Sequence, residues 1–306
     1  MSATMKGLAP SARVAKPRAS AASASARGLV AACKPSEAAR GGRAAPLKAA
    51  MDADAVVEST DMQMSAEEPM MTGMATLEQL VEAGAHLGHR TQQWCPKMSQ
   101  YIYGVRDGMH ILDLTQTVPM LLSALDAVKA LGESGGDLLF VGTKRQAMPA
   151  IERAATACGQ HYVNSRWLGG LMTNWNTVKQ SLRTMATLEE QLAQVESGEV
   201  KVKKAEASRL ARKTNKLVTN LGGIRNLDKT PQMIFVIDTN KESLAIQEAQ
   251  VLKIPIVAVV DSNSNPDGID LPIPGNDDSA KALFMYCDLV AAAYLEGKAI
   301  RDARSK

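Results

Sequence analysis

The stretch Met233-Ile234-Phe235-Val236-Ile237-Asp238, followed after a helical pattern by Ile254-Pro255-Ile256-Val257-Ala258-Val259-Val260-Asp261, decides the fold. Neither run alternates apolar with polar residues. A strand exposed on one face alternates, whereas a strand with no polar interruption is covered on both. Between the runs, Asp238-Thr239-Asn240 supplies capping side chains for a helix from Glu242 to Leu252. Buried strand, helix, buried strand is the unit of a parallel sheet with helices on both faces and right-handed crossovers.

The same rhythm extends outward. Leu138-Leu139-Phe140-Val141 reads as a buried strand closed by Gly142, Arg145 to Cys158 as a helix stopped by Gly159, and His161-Tyr162-Val163 as a short strand. Thr76 caps a short helix with Leu77, Leu80 and Val81 on one face, and a last helix runs from about Ser279 to Leu295. Residues 76–306 therefore read as one doubly wound α/β domain.

One segment breaks the rhythm. Val178, Leu182, Met185, Leu188, Leu192 and Val195 follow a heptad-like spacing, Ser197-Gly198 interrupts it, and Leu210, Leu217 and Leu221 continue on a second helix from about Lys203 to Gly222-Gly223. The pattern predicts an antiparallel helical hairpin over 178–222, inserted into the domain. Residues 201–216 carry Lys201, Lys203, Lys204, Arg209, Arg212, Lys213 and Lys216 against Glu206 alone, a net +6. A charge run is usually a solvated helix face, but this density also suits a polyanion such as nucleic-acid phosphate.

The overall charge of +3 conceals an asymmetry: residues 1–50 carry +8, residues 51–74 carry −6, and the remainder +1. Residues 1–50 are rich in Ala, Ser and Arg, nearly free of acids and without apolar periodicity, the composition of an organelle transit peptide; the plainer reading is a disordered basic tail. Residues 51–75 read as an acidic, disordered linker or extension. No apolar run approaches the roughly 20 residues of a membrane span, which predicts a soluble chain. Cys33, Cys95, Cys158 and Cys287 lie far apart, against a disulfide framework or zinc finger and in favour of a reducing compartment.

Val141-Gly142-Thr143-Lys144-Arg145 lies at a strand-to-helix junction, where helix N–H groups, Lys144 and Arg145 suit a phosphate. The stretch matches neither glycine-rich nucleotide motif, so an RNA phosphate is a better partner than a nucleotide. Asp238, Asp261, Asp267, Asp277 and Asp278 follow strands; with His86 or His89 they form a candidate Mg²⁺ or Zn²⁺ site, while the plainer reading makes each a cap or Asx turn. Residues 89–106 (His89, Arg90, Trp94, Lys97, Tyr101, Tyr103, Arg106) and 164–179 (Asn164, Arg166, Trp167, Asn174, Trp175, Asn176, Lys179) interleave bases with aromatics, a pattern for unpaired RNA. Core burial is the favoured reading of the Trp rings. No nucleophile–base set or carboxylate pair is visible. The rival to an RNA-binding structural protein is an α/β enzyme or binding protein using the strand ends near Lys144 and Asp261 on a phosphorylated small molecule.

Leu80-Val81-Glu82-Ala83-Gly84-Ala85-His86-Leu87-Gly88-His89 followed by Trp94-Cys95-Pro96-Lys97-Met98 resembles the opening of the small-subunit ribosomal protein two family. So do Phe140-Val141-Gly142-Thr143-Lys144, Val163-Asn164-Ser165-Arg166-Trp167-Leu168-Gly169-Gly170, Leu171-Met172-Thr173-Asn174-Trp175 and Leu221-Gly222-Gly223-Ile224. Asp261-Ser262-Asn263-Ser264-Asn265-Pro266-Asp267 and Ile273-Pro274-Gly275-Asn276-Asp277-Asp278 complete a likeness over roughly 76–297. Cys95, Leu87, Ser165 and Asn226-Leu227-Asp228-Lys229-Thr230 depart from the usual pattern.

The resemblance implies a flavodoxin-like three-layer domain with a parallel sheet and a coiled-coil hairpin, no catalysis and no cofactor. It implies a place between head and body of the small subunit near the mRNA exit, with small-subunit ribosomal RNA and other small-subunit proteins as partners. In bacteria such proteins help to hold the large S-one protein. Neither a membrane nor a homo-oligomer is expected. The residues assigned to RNA are Arg90, Lys97, Lys144, Arg145, Arg166, Lys179, Lys203, Lys204, Arg209, Arg212 and Lys213. Several stretches, among them Thr115-Gln116-Thr117-Val118-Pro119-Met120, look most similar to the alphaproteobacterial branch, which with the leader points to the mitochondrion, a plastid being the alternative.

Overall fold

The computed structural model describes residues 76–200 and 203–305; the expected leader (1–50), acidic segment (51–75) and Lys201 lie outside the described residues. The apolar runs form a five-stranded parallel sheet from β4 (Leu138–Val141), β5 (His161–Val163), β6 (Met233–Ile237), β7 (Ile256–Val260) and β8 (Leu271–Pro274), in the order β5-β4-β6-β7-β8. Successive side chains point to opposite faces. Leu138, Phe140, Met233, Phe235, Ile237, Val257, Val259 and Ile273 enter one core. Leu139, Val141, Ile234, Val236, Ile256, Ala258 and Val260 enter the other, which is why polar residues never interrupt these runs.

The first core is closed by α1 (Leu77–Glu82), α2 (Leu114–Ser134), α3 (Met148–Cys158) and α7 (Ala280–Arg304). The second is closed by α6 (Ser243–Leu252) and the base of a hairpin made of α4 (Trp175–Glu196) and α5 (Lys204–Leu221). The crossover through α3 runs outward from β4 to β5 and the one through α6 runs from β6 to β7, so right-handedness puts these helices on opposite faces. The strand order reverses between β4 and β6, the usual ligand crevice of such sheets.

Three helices differ from the sequence reading. The helix expected from Arg145 begins at Met148, with Pro149 in its first turn, and residues 142–147 form an irregular loop. The final helix continues to Arg304 because it is sandwiched between α2 and α3 and needs no single apolar stripe. The long helix α2 is absent from the sequence reading, which does not treat residues 114–134 as an element. Pro119 lies inside the helix and forgoes the bond to the Thr115 carbonyl, while Asp113 caps the helix by accepting from the Thr115 N–H at 3.0 Å.

A three-stranded antiparallel sheet also escaped the sequence reading: β1 (Leu87–Arg90), β2 (Ile102–Arg106) and β3 (Met109–Leu112), in the order β1-β3-β2. Its strands are short and bulged, so no clean alternation survives.

Val178, Met185 and Leu188 are buried, and Leu182, Leu192 and Val195 half-buried. Thr214 is buried between Leu210 and Leu217, returning its hydroxyl to the Leu210 carbonyl at 3.1 Å, which disguises a heptad position as polar. Gly198 turns the chain at φ +80°. Only the base reaches the domain core, through Trp175, Val178, Leu182 and Met185 on α4 and Leu217, Val218 and Leu221 on α5.

Candidate nucleic-acid interface

The seam fixes which way the cations of α5 point. Ala207, Leu210, Ala211, Thr214, Leu217, Val218 and Leu221 face α4 or the core, half-buried or buried. Arg209, Arg212, Lys213 and Lys216 recur at three- and four-residue intervals on the opposite side, all exposed, with Lys203 and Lys204 at the amino end. None of these six is ion-paired to another described residue; Arg212 folds back onto Ser208, its Nε donating to that carbonyl at 3.1 Å. Like charges at these spacings repel by a few tenths of a kcal/mol per pair, a cost that a polyanion relieves.

The remaining RNA candidates are scattered. Arg90, Arg145 and Arg166 are exposed and Lys179 half-buried. Lys97 is exposed but ion-paired with Asp267.

Lys144 requires correction as a phosphate contact. Its side chain is 13% exposed, and its ammonium lies 2.7 Å from Asp277 Oδ1, 2.5 Å from Asp278 Oδ1 and 3.9 Å from Asp238 Oδ2. His89 joins the cluster, with Nδ1 3.1 Å from Asp261 and Nε2 3.3 Å from Asp278. The hydrogen bond to Asp261 raises the His89 pKa above its usual value, against the opposing effect of burial. Burial lifts the Asp277 carboxyl to about 6, the Asp261 charge adding to that and Lys144 opposing it. Burial alone would lower the Lys144 pKa, but hydrogen bonds and charges from Asp277 and Asp278 raise it.

The crevice is thus acidic, and its lysine Lys144 is already paired. The Thr143 N–H and hydroxyl, which a phosphate would use, both donate to Glu242 Oε1, at 2.8 and 2.6 Å. A pocket for a phosphorylated small molecule is overturned on those grounds. Of the expected metal candidates, His89, Asp261 and Asp277 offer ligand atoms within 4.8 Å of one another. Asp278 is beside them, Asp267 belongs to the pair with Lys97, and His86 takes no part. Lys144 supplies positive charge to that cluster.

The loop before α4 is held by a residue that sequence reasoning missed. Glu248 on α6 accepts from Trp167 Nε1 at 3.0 Å and from the backbone N–H of Gly170, Met172 and Thr173 at 2.8, 3.0 and 3.1 Å. The Thr173 hydroxyl adds a fifth bond at 3.1 Å. Burial disfavours the Glu248 charge, but these donors outweigh it and hold the carboxyl below its ordinary range. Nothing local marks Glu248, because its partners lie 75–81 residues away in sequence. Trp167 is consequently core, as favoured. Trp175 is half-buried with Nε1 donating to the Asp228 carbonyl at 3.2 Å, and Trp94 is exposed, its ring centroid 5.4 Å from that of His110.

Among the described residues no helix is long and apolar enough to cross a membrane. A profile of ribosomal protein S2 matches residues 80–297. The small ribosomal subunit protein uS2 of Rhodospirillum centenum is 53% identical over 223 residues, 72% of this chain and 84% of that protein. The protein of the same name from Novosphingobium aromaticivorans is 52% identical over 234 residues, 76% and 91% of the two chains. That of Cereibacter sphaeroides is 54% identical over 222 residues, 72% and 87%.

Proposed function

Because this chain belongs to the ribosomal protein S2 family, we propose that it serves the small subunit of an organellar ribosome, mitochondrial rather than plastid, and that α5 is its principal contact with ribosomal RNA. The family is structural and non-enzymatic, and its members work in translation within the small subunit, among its RNA and proteins.

The RNA contact rests on one observation: the exposed, unpaired cations of Arg209, Arg212, Lys213 and their neighbours are carried on an arm whose apolar seam is satisfied internally. Phosphate binding there releases condensed counterions, so affinity falls steeply with salt. The organellar address is supported by the acid-poor, Arg- and Ser-rich first fifty residues together with relatives that are alphaproteobacterial.

Replacing Lys203, Lys204, Arg209, Arg212 and Lys213 by Gln should weaken incorporation into small subunits on density gradients. It should also reduce the log–log salt slope of RNA binding by up to about five, roughly one per lost phosphate contact. Unchanged incorporation across a salt series would remove α5 from the interface. A fluorescent fusion of residues 1–75 that stays in the cytosol would refute the organellar address.

A further inference from the structure

The small antiparallel sheet carries a second set of exposed cationic and aromatic groups. Its central strand pairs Met109 with Arg90 on one side and with Arg106 on the other. Directly opposed residues share a face, so Arg90, Met109 and Arg106 form one row, with the two arginine backbones about 10 Å apart across three strands. The next row is Leu87, Ile111 and Gly104, and a Cβ added to Gly104 would meet nothing within 4 Å.

Tyr103 is the extra residue at the β2 bulge and is 81% exposed. Of the chain's eleven aromatic side chains only Tyr103 and Trp94 are exposed, and both belong to this part of the molecule. A tyrosine this bare gains nothing for the core, because its apolar area remains in water. Arg106 Nε lies 3.8 Å from Asp107, a pair open to water on both sides and so weak enough for a phosphate to displace. The segment leading into β2 packs through Cys95, Met98, Tyr101 and Ile102 on the same core as the hairpin base, while Gly88 and His89 of β1 meet Ser262 and Asp261 just beyond β7.

We propose that this sheet is a single-stranded RNA contact: an unpaired base stacks on Tyr103 while Arg90 and Arg106 hold the adjoining phosphates. The inference rests on the RNA-binding reading of the hairpin but differs from it in kind. The α5 stripe offers charge alone and suits any phosphate array, whereas a flat exposed ring on the same small sheet as the two arginines selects unstacked nucleotides.

The test uses the full chain and a labelled oligouridylate, which has no stable duplex, measured by fluorescence anisotropy. Tyr103→Ala should weaken binding roughly tenfold with little change in salt slope, since stacking releases no counterions. Tyr103→Phe should bind like the parent. Tyr103→Leu, which keeps apolar surface but not a flat ring, should behave like Tyr103→Ala. Arg90→Gln with Arg106→Gln should lower the slope by about two.

Parental affinity in Tyr103→Ala, with binding lost in the α5 variant, overturns this inference and leaves the hairpin reading standing. The reverse pattern supports this sheet and removes the hairpin. A Tyr103→Ala protein that binds the oligonucleotide normally yet drops out of small-subunit fractions would make the face a protein contact and would also overturn the proposal.

Discussion

Removing the Glu248 carboxylate should unfasten the loop that leads into the hairpin. Five donors converge on it at 2.8–3.1 Å. The two from Thr173 are exposed, and water replaces them cheaply. Those from Trp167, Gly170 and Met172 are partly buried, and each is worth about 1–1.5 kcal/mol to a charged acceptor with some solvent access. Glu248→Ala should therefore cost about 3–4 kcal/mol, or roughly 10 °C in Tm at about 2–4 °C per kcal/mol for a domain of this size. Glu248→Gln keeps one acceptor oxygen and turns the other into a donor facing donors, so about half that loss is expected.

The assay is urea unfolding followed by tryptophan emission, which should also shift to the red in the native variant as Trp167 loses its partner. The pH dependence is an independent check. The folded-state pKa of Glu248 lies below its ordinary value of 4.5, so its stabilisation is present above about pH 4.5 and disappears as pH falls through the folded value. The gap between parent and variant should narrow on acidification. A Glu248→Ala protein within about 0.5 kcal/mol of the parent at neutral pH, less than one such hydrogen bond, would refute the reasoning.

Gly297→Ala should destabilise the domain by about 2–3 kcal/mol in the same assay, because the new Cβ would lie 2.1 Å from the Lys129 carbonyl oxygen and force α7 off α2. Lys144→Met should cost about 3–5 kcal/mol at neutral pH by leaving Asp277, 1% exposed, without its cation. The folded Asp277 carboxyl titrates at about 6, above its ordinary 3.8, so its favourable contribution is complete below about pH 3.8 and lost as pH rises through 6; the Lys144→Met penalty should be greatest above pH 6, as unfolding curves across pH would show. In native protein, thiol-reactive probes should label Cys95 before Cys158 or Cys287, since burial lifts the Cys158 thiol to about 11 and pushes Cys287 higher still. Equal labelling rates at these three positions would contradict the packing.

The parallel sheet and the helical seam are legible along the chain because each rests on a periodicity that local packing enforces, and the cations of 203–216 are legible as a run of like charge. A run such as Ile256–Val260 has no polar side to show to water, and the spacing from Val178 to Val195 admits only a helical seam. Short bulged strands such as β1 and β2 leave too few residues to establish a period.

Which charges remain available emerges only once the strands are assembled. Lys144 and Arg145 are neighbours in sequence, yet Lys144 faces carboxylates brought from 94–134 residues away while Arg145 stays exposed. Likewise Trp167 and Tyr103 look alike as aromatics among bases, but a distant Glu248 takes the first into the core and nothing covers the second. Electrostatic pairing depends on distance in space, which a linear sequence does not contain until the sheet has brought its strand ends together.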